Sequence, residues 1–184
     1  MQAMNEMDVL KILETLLRVS IPNTYVWLLG FYFYFHLWLN FLGEITCFGD
    51  RGFYKDWWNS RTIESYWRNW NLPVHHWMLR HMYYPMMRAG CSKMAATFIV
   101  FFFSAFFHEL VISVPFKHIT MHAFFGMMVQ APLTYVTRIV DARYNSAFFG
   151  NIIFWLVFCV VGQPIGILFI AYDHWRLNPV EVAL

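Results

Sequence analysis

Two stretches of this chain lack aspartate, glutamate, lysine and arginine over a length that can cross a lipid bilayer. They are residues 21–42 and 147–172, in which His36 is the side chain that titrates near neutral pH. A membrane-spanning helix needs about 20 predominantly apolar residues. These two segments therefore constrain the chain to fold in a membrane.

Two further segments, 94–115 and 123–140, approach the same length but carry a few ionisable residues. The whole chain of 184 residues is 59% hydrophobic and 13% charged, against a charged fraction of about 25% in soluble domains. We therefore expect an all-α integral membrane protein, a single unit of about four transmembrane helices with additional amphipathic helices on the cytoplasmic side.

Residues 1–20 show a weak apolar pattern, which favours an amphipathic helix lying at the membrane interface. Pro22 and Asn23 follow it and are expected to separate it from the first span. Acidic residues are mixed with basic ones in this segment, so no cleavable secretory signal is expected. Three polar residues recur every four positions: His36, Asn40 and Glu44. They therefore lie on one face of a helix, which we expect to point into protein.

The basic residues are distributed unevenly between the connections. Seven of the 13 lysines and arginines lie in 43–93, and two more lie in the 138–146 connection. The positive-inside rule makes both connections cytoplasmic, and in the endoplasmic reticulum both termini would then face the lumen. Because 43–93 is also rich in tryptophan and tyrosine, we expect two or three short helices on the cytoplasmic surface, broken near Pro73 and Pro85 and ending near Gly90.

Metal sites and disulfides are not expected. The three cysteines are widely separated and show no CxxC spacing. His108 and Glu109 could begin an HExxH zinc signature, but Ile112 occupies the position of its second histidine. His118 and His122 are four residues apart across a short lumenal turn, without acidic or cysteine neighbours in the sequence.

His108 and Glu109 are ionisable residues inside an otherwise apolar segment. Each costs about 2.5 to 3.5 kcal/mol at the centre of a membrane helix, so such residues face a cavity or a partner. The pair is either a hydrogen-bonded structural element or a functional site. A desolvated neutral imidazole is a suitable general base, and no GxSxG nucleophile motif or Gly-rich phosphate loop accompanies it. Direct acyl transfer needs such a base and a hydrogen-bond donor to the thioester carbonyl oxygen. His108 is suited to be the base, and the Asn71 amide is suited to be the donor.

Three motifs occur in order: FYKDWWN at 53–59, WNLPVH at 70–75 and SAFFHE at 104–109. Together they resemble the membrane-bound O-acyltransferase family. The first motif, the Trp-Asn pair and the His-Glu pair are shared with sterol acyltransferases. Resemblance to the type 1 diacylglycerol O-acyltransferase branch depends on 71–75, 80–83, the two phenylalanines before His108, 113–115, 126–133 and 162–164. It covers nearly the whole chain and corresponds to the C-terminal portion of a family member.

The resemblance implies transfer of a fatty acyl group from acyl-CoA to the free hydroxyl of diacylglycerol in the endoplasmic reticulum membrane. Acyl-CoA, diacylglycerol and membrane lipids are then the expected partners, with self-association left open and no nucleic acid expected. No metal or bound cofactor is implied, because the thioester is already activated. Two alternatives stay open: a sterol, retinol or long-chain alcohol acceptor, or a truncated product or fragment without activity of its own.

The resemblance also implies roles for individual residues. His108 corresponds to the catalytic base, and Asn71 to the asparagine of the Trp-Asn pair. Polar positions of the reaction chamber fall on Ser104, Glu109, Gln130 and Gln163, although the two glutamines could equally join helices by hydrogen bonds. Contacts to coenzyme A at a cytoplasmic mouth fall on Trp57, Trp58, His81, Tyr83 and Lys93. Thr97 departs from the family pattern, in which a second basic residue often stands there.

Overall fold

The computed structural model describes residues 9–144 and 146–177, which form helices and contain no strand. We label the helices α1 (Val9–Ile45), α2 (Ile63–Trp70), α3 (Leu72–Met78, Leu79–Tyr83 and Tyr84–Arg88), α4 (Lys93–Phe116), α5 (His122–Tyr144) and α6 (Ala147–Leu177). Three of them contain a π-helical stretch: Tyr32–Trp38 in α1, Leu79–Tyr83 in α3 and Leu156–Gly162 in α6. This architecture confirms the all-α prediction.

Helices α1, α4 and α6 are long and apolar enough to cross a membrane. The predicted third span, 123–140, lies within α5, which is helical but is not among the three. Gln130, Thr134, Thr137 and Arg138 lower its hydropathy, and the Thr137 hydroxyl accepts a hydrogen bond from the Ile63 backbone N–H (3.3 Å). The protein is thus a multi-pass membrane protein, and the crossing by α5 stays a prediction.

The predicted break at Pro22 is absent, because α1 continues through this residue. Residues 1–8 of the predicted interfacial helix lie outside the described residues, and 9–20 are continuous with the span. A proline inside a helix removes one backbone donor, a loss that membrane helices tolerate when nearby hydroxyls and neighbouring helices compensate. Close to Pro22, the Ser20 hydroxyl contacts the carbonyls of Leu16 (2.7 Å) and, on α6, Val160 (3.0 Å), so α1 is joined to α6 near this proline.

Part of the 43–93 segment packs inside the helix bundle. Trp57 and Tyr66, each 1% exposed, lie between α1 and α6, whereas Trp77 and Tyr84 are 48% and 49% exposed. The cytoplasmic position of the segment stays a prediction. Trp70 stacks on Trp27 of α1, with ring centroids 5.2 Å apart. Since Trp27 is the middle residue of α1, the segment reaches half-way along that helix. Rings of this size gain more from burial between two helices than from an interfacial position.

Helix α6 holds the 57–61 peptide in place. The Asn151 amide donates to the carbonyls of Trp58 (2.7 Å) and Ser60 (3.0 Å), and the Trp155 indole donates to Trp58 as well (3.1 Å). At Gly150 a Cβ atom would stand 2.9 Å from the Arg61 carbonyl oxygen. The absence of a side chain there therefore allows the peptide to approach the helix closely.

Helices α3 and α4 form an antiparallel hairpin. The helix break predicted near Pro73 occurs at Asn71, between α2 and α3, whereas Pro85 lies inside α3 and does not break it. The predicted end near Gly90 is confirmed, since this residue takes a φ of +88°, which favours glycine. Trp77 of α3 stacks on Phe103 of α4 with centroids 6.1 Å apart.

Candidate functional site

His108 lies on an exposed face of α4 and bonds to its own helix through one ring nitrogen. Its Nδ1 atom is 2.8 Å from the Ser104 carbonyl oxygen and 3.4 Å from the Ser104 hydroxyl. A carbonyl oxygen can only accept, so Nδ1 carries the proton that it donates. In the neutral imidazole Nε2 then has the lone pair. In its neutral form the ring therefore offers Nε2 as the acceptor that a general base requires.

Asn71 separates α2 from α3 and serves as the N-cap of α3. Its Oδ1 atom accepts a hydrogen bond from the Val74 N–H (3.1 Å). Asparagine is a preferred N-cap residue and Pro73 suits the first turn, so the local sequence explains why α3 begins here. Because the cap uses the oxygen, the amide nitrogen is the atom left to donate.

Asn71 and His108 are not hydrogen-bonded to each other, but they lie at a similar number of residues from the Trp77–Phe103 contact of the α3–α4 hairpin. Asn71 precedes Trp77 by six residues, and His108 follows Phe103 by five. In an antiparallel pair, both residues therefore lie on the same side of the Trp77–Phe103 contact. At a rise of about 1.5 Å per residue they are about 9 Å and 7.5 Å from it along the helices.

Glu109 has a structural task in the turn between α4 and α5. Its carboxylate is 6% exposed and accepts hydrogen bonds from the Ser113 hydroxyl (2.8 Å) and the backbone N–H groups of Thr120 (3.0 Å), Met121 (2.8 Å), Ala123 (3.1 Å) and Phe124 (3.2 Å). The last two belong to the first turn of α5, where a negative charge is favourable. Glu109 therefore fixes the turn next to His108, and its part in a reaction chamber stays a prediction.

The two glutamines lie elsewhere. The Phe102 and Phe124 rings meet at 5.6 Å. Glu109, the neighbour of His108, binds the N–H groups of Ala123 and Phe124, and Gln130 lies six residues beyond Phe124, about 9 Å further along α5. Gln130 has a buried Oε1 atom without a partner among the described residues.

Gln163 joins two helices. Its Oε1 atom accepts from the Asn23 amide of α1 at 3.3 Å. The interhelical alternative considered for the glutamines therefore applies to Gln163. The sequence had indicated Asn23 only as part of the break before the first span, although its amide lies in a span where a polar partner is expected.

The predicted coenzyme A contacts divide into two groups. Trp57 is 1% exposed in the aromatic core, where other rings enclose it, and its contact with coenzyme A stays a prediction. Trp58 is 39% exposed and remains accessible. On the α3–α4 hairpin, His81 and Lys93 are exposed and Tyr83 is half-buried, and the Trp77 ring lies 5.4 Å from that of His81.

Two histidines outside the candidate site, His122 and His75, lie beside ionisable side chains. The His122 Nε2 atom is 2.6 Å from Asp173 of α6, an acidic partner that the sequence spacing did not reveal because it lies 51 residues away. Burial, followed by the nearby His76 and Arg68, lowers the pKa of His75 from its ordinary value.

A metal centre is not formed by the described part of the chain, where no group of three or more histidine, cysteine, aspartate or glutamate side chains converges. All three thiols are free. A cleft at the far ends of α4 and α6 lies among Ile112, Phe116, His118, Thr120, Ile170, His174 and Leu177. This cleft does not include His108 or Asn71.

Curated proteins from plants and a slime mould are similar to this chain. Diacylglycerol O-acyltransferase 1C of Glycine max is 51% identical over 166 residues, covering 90% of this chain and 32% of the relative. Diacylglycerol O-acyltransferase 1 of Arabidopsis thaliana is 50% identical over 166 residues, with the same coverage of 90% and 32%. Diacylglycerol O-acyltransferase 1 of Dictyostelium discoideum is 49% identical over 178 residues, covering 97% and 28%.

This chain spans about a third of the length of these relatives. The family model for the membrane-bound O-acyltransferases matches residues 1–171, which is nearly the whole chain. On that match, together with the helical membrane architecture, the chain belongs to the membrane-bound O-acyltransferase family.

Proposed function

We propose that this chain forms the His108- and Asn71-bearing part of an acyl-CoA:diacylglycerol O-acyltransferase. The names of its relatives, at about 50% identity, support this reaction. The observation that carries the proposal is the 2.8 Å contact between His108 Nδ1 and the Ser104 carbonyl oxygen, because it makes Nδ1 the donor and, in the neutral ring, leaves Nε2 to take a proton.

The reaction is a direct transfer between two substrates. Nε2 of His108 removes the proton from the free hydroxyl of diacylglycerol as the oxygen attacks the thioester carbonyl carbon. The carbon–sulfur bond then breaks, coenzyme A leaves as a thiolate, and the imidazolium returns the proton to that sulfur. The products are triacylglycerol and coenzyme A, with His108 back in its starting form.

Asn71 supplies the second contribution, stabilisation of the negative charge that develops on the thioester oxygen. Its amide nitrogen is suited to donate to that oxygen because its Oδ1 atom already caps α3. One donor of this kind contributes roughly 2.7 to 4 kcal/mol to transition-state stabilisation in other enzymes. The similar number of residues that separates Asn71 and His108 from the Trp77–Phe103 contact supports their action on one thioester.

The remaining assignments complete the proposal. Ser104 orients the His108 ring, and a rim of accessible aromatic and basic side chains binds coenzyme A at the cytoplasmic mouth, formed by Trp58, His81, Tyr83 and Lys93. We assign the enzyme to the endoplasmic reticulum membrane, with 43–93 facing the cytoplasm. Cross-linking in that membrane tests whether identical chains associate.

An acceptor panel tests the proposed substrate. The chain is expressed in membranes of a host that makes no triacylglycerol and is supplied with one labelled acyl-CoA and, in turn, diacylglycerol, a sterol, retinol or a long-chain alcohol. We expect labelled triacylglycerol with diacylglycerol and at least tenfold less product from the other acceptors. A preference for another alcohol would overturn the choice of acceptor, and no labelled ester from any would overturn the proposed activity.

A further inference from the structure

A histidine in α1 is held rigidly although the proposed chemistry does not use it. His36 lies in the π-helical stretch Tyr32–Trp38, and such stretches often mark functional sites. Its Nδ1 atom is 2.9 Å from the Tyr54 hydroxyl oxygen. The Tyr32 ring stacks on the imidazole, with centroids 4.9 Å apart and planes at 19°.

The backbone beneath His36 is fixed as well. The Asn40 amide donates to the His36 carbonyl oxygen at 2.6 Å. An ionisable residue inside a membrane helix is costly unless a partner compensates it. The Tyr54 hydroxyl is that partner, and it belongs to the FYKDWWN peptide.

Tyr54 is in turn tied to the segment that carries Asn71. On one side of it, the Phe53 carbonyl accepts from the Leu72 N–H (2.9 Å), and on the other, the Lys55 N–H donates to the Asn69 carbonyl (2.8 Å). The peptide 53–55 therefore runs beside 69–72 and is bonded to the residue that follows Asn71. The Tyr54 ring also contacts Phe31 edge-to-face at 5.0 Å, which anchors its body to α1.

We propose that His36 is a positioning residue, which holds the Asn71 amide in place through the hydroxyl of Tyr54. This inference rests on the proposed function, since it names what keeps the thioester donor in position. Without the His36–Tyr54 bond, the 53–55 peptide loses its polar attachment to α1, and the two backbone bonds that locate 69–72 open more often. A displacement of about 1 Å in a catalytic group can lower the rate 100-fold.

A double-mutant cycle tests the linkage. Tyr54→Phe removes the hydroxyl but keeps the ring, His36→Phe removes the ring nitrogens, and His36→Asn keeps a polar atom near the position of Nδ1. We expect Tyr54→Phe and His36→Phe each to lower kcat for triacylglycerol formation about 3- to 10-fold, the range of one hydrogen bond. KM for diacylglycerol should change less than twofold. The double variant should be no slower than the slower single variant, and His36→Asn should recover most of the rate.

Tyr34→Phe is the matched control, because it removes a hydroxyl from the same helix at a ring that packs on Phe35. It should leave kcat within twofold of the parent chain. Single variants with normal rates would overturn the proposal. Multiplicative losses in the double variant would also overturn it, because they would mean that the two side chains act independently.

Hydrogen–deuterium exchange gives a readout that does not depend on turnover. We expect the amide hydrogens of Lys55 and Leu72 to exchange several-fold faster in Tyr54→Phe and His36→Phe than in the parent chain, with Tyr34→Phe unchanged. Unchanged exchange in the first two variants would contradict the linkage even if their rates fell. If the chain makes no ester but exchange rises as expected, the proposed activity fails while the linkage of His36 to the Asn71 segment stands.

Discussion

His108 and Asn71 use their polar atoms in the same way. Each commits one atom to its own helix, Nδ1 to the Ser104 carbonyl and Oδ1 to the Val74 N–H. The other atom of each side chain is then available, the Nε2 lone pair of the neutral imidazole and the N–H donors on Nδ2. Local helix hydrogen bonding therefore suits the two side chains to the base and donor roles that we propose.

The substitution Asn71→Asp separates the two tasks of Asn71. An aspartate oxygen still caps α3 but offers no N–H to a thioester oxygen. We expect kcat to fall roughly 100- to 1,000-fold, while the melting temperature in detergent stays within a few degrees. Asn71→Ala is the comparison, because it should lose both stability and activity. An aspartate variant that retains a third or more of the parent kcat would show that Asn71 does not act as a donor.

Individual residues were predictable where their chemistry is unusual for their surroundings. His108 stands out because an ionisable group in an apolar segment needs a reason, and Asn71 because it belongs to a recognisable motif. The burial of Trp57 was not predictable, because an aromatic residue in a basic loop fits a ligand rim as well as a core. The turn-binding role of Glu109 depends on backbone N–H groups, which every sequence contains.

At the scale of elements, close contacts between helices and irregular segments place the site. Gly150 lets the 57–61 peptide approach α6, since a Cβ there would stand 2.9 Å from the Arg61 carbonyl oxygen and 3.0 Å from its Cβ. Asn151 and Trp155, on the same part of α6, bind the carbonyls of that peptide. One part of α6 thus fixes the motif that leads to Asn71.

A glycine comparison measures how much this close approach matters. Gly150→Ala forces a side chain against backbone atoms, and overpacking of this kind destabilises proteins by about 1–3 kcal/mol. Gly166→Ala lies on the same helix, where an added Cβ meets nothing within 4 Å. We expect a lower melting temperature in detergent for the first variant and an unchanged or higher one for the second. Equal effects of the two substitutions would contradict the close packing at Gly150.

The helices themselves follow from hydropathy and cap residues, but their continuity does not. Pro22 and Pro85 predict helix breaks, whereas in the structure both lie inside continuous helices. The burial of residues 53–72 between the long helices was also missed. The basic residues of this segment predict a surface position, and the aromatic side chains that draw it inward find their partners on α1 and α6, which are far away in the sequence.

At the scale of the whole molecule, two arms hold the two candidate residues. Helices α1 and α6 enclose the aromatic segment that ends at Asn71, and the α4–α5 pair, tied by Glu109, carries His108. The arms meet at the Trp77–Phe103 contact, at the bond between Ile63 and Thr137, and at the His122–Asp173 pair between α5 and α6. Packing between the arms therefore decides whether base and donor face one substrate, a property that neither motif contains by itself.

The most direct test of the central claim is the rate of triacylglycerol formation by the His108→Ala variant, measured beside the parent chain in the same membranes with labelled acyl-CoA and diacylglycerol. If His108 is the base, the initial rate falls roughly 100- to 10,000-fold. Because the imidazole is exposed on α4, the amount of protein and its melting temperature should stay close to those of the parent chain. A variant that forms triacylglycerol within threefold of the parent rate would contradict the assignment of His108 as the general base.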